Sequence, residues 1–173
     1  MSVDDLRAKI REIPDFPKPG ILFYDITTML KDPAAFAEAV ELMLEPFKGT
    51  KIDAVVGMES RGFIFSAPMA IQLGAGFVPV RKLGKLPAET VSVEYSLEYG
   101  TNTLEIHRDA LSPGQKVLIV DDLLATGGTV LGTIELVQML KAEVVGLSFL
   151  VELLFLKGRE RLRDQNVNSV IQY

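Results

Sequence analysis

The chain has 173 residues, 48% of them hydrophobic, with a formal charge of −5. That is enough for one globular domain that buries about 70% of its unfolded surface. Cysteine is absent, which excludes disulfides, zinc–thiolate sites and a thiol nucleophile. The acidic balance argues against broad nucleic-acid binding. No apolar run approaches the roughly 18 residues of a membrane span. The first residues are acidic, unlike a secretory signal, so a cytoplasmic location is expected.

In chain order, Ser2 and Asp5 have the spacing of a capping box, and Leu6, Ile10 and Ile13 follow at helical intervals. Pro14, Pro17, Pro19 and Gly20 then force an irregular passage. Phe36, Val40, Met43, Leu44 and Phe47 mark one face of an amphipathic helix that ends near Gly49. Ile52 to Gly57 reads as a strand, Phe63 to Leu73 as its helix despite Pro68, and Phe77 to Val80 as the next strand. Residues 81–103 are the longest stretch without a place in a compact core. Within it Val91, Val93, Tyr95, Leu97 and Tyr99 alternate, which predicts a hairpin turning across Gly100 to Thr103. Val117 to Asp121 is the central strand, Thr129 to Lys141 a helix and Val144 to Val151 a further strand. Alternating strands and helices predict an α/β fold: a central, mostly parallel sheet flanked by helices, in one domain over residues 1–173. Ligands of such sheets bind beyond the carboxyl ends of the strands.

The most informative run is Val117 to Thr129. A wholly apolar strand reaches two carboxylates, Asp121 and Asp122, and breaks into Ala125-Thr126-Gly127-Gly128-Thr129 before a helix. These small residues offer backbone N–H groups at a helix start, a ready anion site. The acid pair, just past the strand, can accept hydrogen bonds from vicinal hydroxyls. Together they suit a ribose 5-phosphate. The run lacks the Lys of one familiar phosphate loop and the G-x-G-x-x-G order of the other.

Three further clusters fall on loops. Gly57-Met58-Glu59-Ser60-Arg61-Gly62-Phe63 follows a strand and supplies a cation at a helix start; on its own Arg61 reads as a surface ion pair, and beside the other motifs as a diphosphate ligand. Arg81-Lys82-Leu83-Gly84-Lys85-Leu86-Pro87 places three cations within five residues of an acidic protein, either solvated or turned toward an anionic substrate. Phe16 to Asp25 holds Phe23 and Tyr24 in a Pro/Gly-bounded turn; flat rings there suit a purine face, and core packing explains Phe23 equally well. Glu98, in Tyr95-Ser96-Leu97-Glu98-Tyr99-Gly100, reads from alternation as a solvent-facing strand residue. His107, the sole histidine, reads as structural or exposed.

The Val117–Thr129 run resembles the phosphoribosyl-pyrophosphate (PRPP) motif of the type I phosphoribosyltransferases. With Leu-Leu-Ala-Thr-Gly-Gly-Thr it is similar to that of the adenine phosphoribosyltransferases, and the likeness extends from about Ile13 to Tyr173. The resemblance implies the type I fold, with a small N-terminal hood at about 13–30 and a long lid loop or hairpin at about 81–107. It assigns Asp121, Asp122 and Ala125 to Thr129 to the ribose 5-phosphate of PRPP. Glu59, Ser60, Arg61, Arg81, Lys82 and Lys85 go to pyrophosphate, with a cis peptide at Glu59–Ser60. Glu98 becomes the acid/base near the purine, and Leu22, Phe23, Tyr24 and Leu153 the adenine pocket. Tyr24 departs from the family's usual Arg, so specificity there survives if it runs through the backbone.

The implied reaction is purine salvage, transferring the phosphoribosyl group of PRPP to adenine to give AMP and pyrophosphate. Mg²⁺ is implied as cofactor, held mainly by substrate and water with no direct protein ligand, and a homodimer is implied as the assembly. The alternatives are a hypoxanthine, guanine or xanthine phosphoribosyltransferase, and a PRPP-sensing regulator without turnover. The intact Leu-Glu-Tyr-Gly segment favours an enzyme.

Overall fold

The computed structural model describes residues 1–97 and 100–173. Two compact units are distinguished, Met1–Leu42 and Met43–Tyr173.

In the first unit, α1 (Val3–Ala8) begins on the expected capping box. The Ser2 hydroxyl accepts from the Asp5 N–H at 3.1 Å, and the Asp5 carboxylate accepts from the Ser2 N–H at 2.8 Å. The helix is shorter than the Leu6, Ile10, Ile13 spacing predicts. It stops at Lys9, and Ile13 belongs instead to β1 (Arg11–Pro14). β1 pairs antiparallel with β2 (Leu22–Asp25), Ile13 opposite Phe23, and the Pro/Gly passage is the connection of this hairpin. Asp25, one residue before the N-cap Ile26, supports the start of α2 (Thr27–Leu30), its Oδ1 accepting from the Thr27 N–H at 2.9 Å and the Thr27 hydroxyl at 2.6 Å. Asp32 does the same for α3 (Pro33–Leu44), accepting from the N–H groups of Ala34 and Ala35.

In the second unit, β3 (Ala54–Met58), β4 (Gly76–Lys82), β5 (Thr90–Leu97), β6 (Gly100–His107), β7 (Lys116–Leu124), β8 (Glu143–Glu152) and β9 (Val167–Gln172) form one sheet among the described residues. Its order is β5-β6-β4-β3-β7-β8-β9. Pairings from β4 through β3, β7 and β8 to β9 are parallel, while β6 joins β4, and β5 joins β6, antiparallel. The α/β, mostly parallel sheet expected from the sequence is present. Val117 to Val120 are fully buried, as a strand covered on both faces requires.

Two helices do the covering, α4 (Gly62–Leu73) after β3 and α5 (Gly128–Met139) after β7. Val56, Met58, Val117 and Ile119 join Val130, Ile134 and Val137 of α5 in one apolar cluster. Side chains alternate along a strand, so Gly57 faces the other way, where a Cβ would overlap Ser66 of α4. The two helices thus lie on opposite faces, and Pro68 is accommodated inside α4.

Two expectations about strand ends change. Gly100 to Thr103 belong to β6 rather than to a turn: Gly100 stands opposite Leu97, and Thr101, Asn102 and Thr103 pair with Ser96, Tyr95 and Glu94. β7 runs to Leu124, so Asp121 and Asp122 lie within the strand rather than past its end. The reason is one-sided pairing. β3 leaves β7 at Gly57 opposite Val120, whereas β8 accompanies it to Glu152 opposite Leu124.

Candidate active site

Where β3 has left β7, a cavity of about 430 Å³ opens in the second unit, within the usual size range of small-molecule sites. Its walls come from three places. The turn after β3 contributes Glu59, Ser60 and Arg61; β7 and the bend after it contribute Asp121 to Val130; Lys82, Tyr95, Asn102 and Leu104 complete it from β4 and the hairpin. Three residues apiece from the first and last group are polar or charged, so the lining suits a polar anion rather than a lipid.

The bend is shaped by its glycines. Gly127 has φ +87°, in the left-handed region that L side chains avoid, and caps α5, whose first residue is Gly128. The Leu131 N–H reaches back to the Gly127 carbonyl at 3.0 Å. N–H groups of the first helical turn are thereby left for an anion.

The acid pair has unequal surroundings. Asp122 is 6% exposed, and its Oδ2 lies 2.9 Å from Arg61 Nε. Asp121 accepts the Asp122 N–H on Oδ1 at 2.9 Å. Burial first, then the adjacent Asp122 charge, pushes the Asp121 carboxyl well above the ordinary carboxylate range. A Cβ on Gly62 would stand 2.8 Å from Asp121 Oδ1, so the start of α4 is packed directly on this carboxylate.

Glu59 organises the basic side. Its Oε1 accepts from the Lys82 N–H and lies 3.5 Å from Arg81 Nε, a buried nitrogen without a hydrogen-bond partner among the described residues. The Glu59–Ser60 peptide is cis, as the resemblance implied. Glu105, itself 8% exposed, ties down the following loop. It accepts from the Gly84 N–H at 3.0 Å and the Thr90 hydroxyl at 3.1 Å.

The cavity therefore brings together Glu59, Ser60, Arg61, Lys82, Asp121, Asp122 and Ala125 to Thr129. Arg81 stands behind Glu59, and Lys85 is exposed on the loop after β4. Leu153, directly after β8, is buried, its N–H donating to the Leu124 carbonyl at 3.0 Å; it is not part of the cavity wall. Leu22, Phe23 and Tyr24 belong to the first unit, on β2, with the Phe23 ring edge-on to Phe16 at 5.2 Å. Burial raises the Tyr24 hydroxyl above its usual value. Glu98 lies outside the described residues. His107 is half-buried and accepts the Ala88 N–H at 3.4 Å, in keeping with a structural part.

Tyr95, Asn102 and Leu104 were not anticipated as wall residues. The alternation of β5 held a signal for Tyr95; Asn102 and Leu104 follow only from the strand register.

The family model described as "Phosphoribosyl transferase domain" matches residues 26–172. An adenine phosphoribosyltransferase of Chloroflexus aurantiacus is 57% identical over 173 residues, covering 100% of both chains. The crystal structure of adenine phosphoribosyltransferase from Thermoanaerobacter pseudethanolicus superposes with a TM-score of 0.96 at 53% identity, over 99% of this chain and 100% of that one. The Saccharomyces cerevisiae enzyme, crystallised with D-2,5-dideoxy-2,5-imino-altritol 1,6-bisphosphate and adenine, gives 0.92 at 41% identity over 97% of each chain. The matched residues span the whole sheet and the cavity built on it. By sequence and fold alike, the chain belongs to the phosphoribosyltransferase family and, within it, to the adenine phosphoribosyltransferases.

Proposed function

We infer that the chain transfers the phosphoribosyl group of PRPP to adenine, releasing pyrophosphate and forming AMP, a purine-salvage reaction. The observation that carries the reading is the cavity itself. It sets a diol-accepting acid pair, a small-residue anion bend and a basic turn around one space.

In this reading Asp121 and Asp122 accept from the ribose hydroxyls, and the N–H groups of Ala125 to Thr129 hold the 5-phosphate. Glu59, Ser60, Arg61, Arg81, Lys82 and Lys85 serve the pyrophosphate, the cations among them by charge and Glu59 by holding Arg81 and Lys82 in place. The bond from the anomeric carbon to the diphosphate oxygen breaks, and a bond from that carbon to a ring nitrogen of adenine forms, with a proton leaving the base. Positive charge accumulates on the sugar meanwhile. Fixed groups that stabilise the departing diphosphate therefore lower the barrier. Glu98 is proposed to handle the proton, a service typically worth about 10²–10⁴-fold. Leu22, Phe23, Tyr24 and Leu153 are proposed to receive adenine.

Mg²⁺ is proposed as cofactor. The carboxylates of Glu59, Asp121 and Asp122 are oxygen donors of the kind it takes, and Glu59 and Asp122 are already engaged by arginines. The ion would thus be held mainly by substrate oxygens and water, supplying charge neutralisation of the diphosphate. A homodimer in the cytoplasm is proposed as the working state; no helix among the described residues is long and apolar enough to cross a membrane.

The test is AMP and pyrophosphate formation from PRPP, Mg²⁺ and adenine, in competition with hypoxanthine, guanine and xanthine. Adenine should dominate turnover. Preference for another purine would reassign the base, and absence of pyrophosphate with every purine would make the chain a PRPP sensor.

A further inference from the structure

Packed on the anion bend runs a short 3₁₀ turn, Gly158–Leu162, none of whose residues lines the cavity. Three contacts tie it to the bend. A Cβ on Gly158 would overlap the Ala125 carbonyl oxygen, and one on Gly127 would stand 3.2 Å from the Gly158 carbonyl, so the two backbones touch. Arg161 Nη1 donates to the Thr126 carbonyl at 3.1 Å. The turn itself is anchored by Arg159, whose Nε and Nη2 donate to Glu152 at 2.9 and 2.6 Å, with further bonds to the Val167 carbonyl and the Ser169 hydroxyl. Glu152 is 2% exposed and is the last residue of β8.

We propose that the Gly158–Leu162 turn is a strut that fixes the phosphate-binding geometry of Ala125 to Thr129, with Arg161 and Gly158 as positioning residues for PRPP. The proposal rests on the reading above that this bend holds the 5-phosphate. Glu152, at the end of the strand beside β7, grips Arg159. Arg159 sets Gly158 against Ala125 and Gly127, and Arg161 fastens the one carbonyl at the tip of the bend. A bend held in this way keeps its N–H groups converged before the phosphate arrives, which lowers the cost of binding.

Steady-state kinetics on the full chain test this. Arg161→Ala, at an exposed side chain, should raise KM for PRPP about three- to tenfold, the scale of one lost hydrogen bond. KM for adenine and the melting temperature should stay at the parent values. Arg161→Gln and Arg161→Lys both retain a donor and should both restore most of the PRPP affinity. Gly158→Ala, which pushes on the Ala125 carbonyl, should raise KM for PRPP in the same selective way.

The strut is overturned if Arg161→Ala and Gly158→Ala leave KM for PRPP unchanged. An equal rise in both KM values with a fall in melting temperature overturns it too, as a general structural effect. Rescue by Lys alone would make Arg161 a charge for the phosphate rather than a fastener. Competition by ribose 5-phosphate separates the two levels: if it competes with PRPP, and ribose does not, while the strut variants do nothing, the phosphate reading stands and only the strut falls. If ribose 5-phosphate does not compete either, both fall together.

Discussion

Arg61 Nε lies 2.9 Å from Asp122 Oδ2, joining the turn after β3 to the strand that carries the acid pair. The two residues are assigned to adjoining parts of PRPP, so the ion pair links the group that receives the leaving diphosphate to the group that grips the ribose. Asp122 is the more buried partner. Its removal leaves Arg61 without this carboxylate and the ribose without an acceptor.

Asp122→Ala should therefore raise KM for PRPP by about 10- to 100-fold, the range of charge-assisted hydrogen bonds. The effect on KM for adenine should be much smaller. Initial-rate measurements with each substrate varied in turn decide this, and equal losses for both would contradict the ribose assignment.

Asp121 makes a prediction about pH. Its carboxyl is raised in the folded chain above the ordinary value of 3.8, so folding favours the protonated form. The associated stability is fully present below the unfolded value and is lost as pH rises through the folded one. Asp121→Asn keeps an acceptor for the Asp122 N–H and removes that loss. The variant should be more stable than the parent at neutral pH, and the difference should vanish in acid. Denaturant titrations across that range measure it; PRPP binding should weaken regardless.

Asp25 carries the opposite sign. Hydrogen bonds from the Thr27 side chain, then from Arg11, hold its carboxyl down at about 2. Stability from this group is present above 3.8 and lost as pH falls through about 2. Asp25→Asn should lower the melting temperature at neutral pH and converge with the parent in strong acid.

Glu105→Ala should release the loop between β4 and β5. Both carboxylate oxygens are used, on Gly84 and Thr90, and losing a buried charged acceptor costs about 1–3 kcal/mol. Tryptic cleavage after Lys85 should accelerate, with Glu105→Gln falling between parent and alanine variant.

Much of this arrangement was legible in the residues. Four consecutive apolar positions from Val117 to Val120 required a strand covered on both faces, and Gly127-Gly128 required a bend into a helix; both are present. What escaped depends on pairing rather than pattern. Carboxylates usually end a buried strand, yet β8 pairing carries β7 through Asp121 and Asp122. β1 and β2 are four residues each, with Pro14 in one and charges in both, so no alternation announces them. β9 reads Val-Asn-Ser-Val-Ile-Gln, and only its bonding to β8 makes it a strand. Arg161 and Gly158 lie more than thirty residues from the bend they touch, beyond the reach of any local motif.

The one-sided pairing of β7 has a thermodynamic consequence for the ligand. Asp121 and Asp122 ride on backbone already held in register by β8, so little chain freedom remains to be surrendered when the sugar docks. Fixing a residue's backbone costs about 1–2 kcal/mol, and here folding has met that cost for the acid pair beforehand. The free edge of the same strand leaves room for the incoming molecule. A rigid ledge with one open side reconciles preorganisation with access.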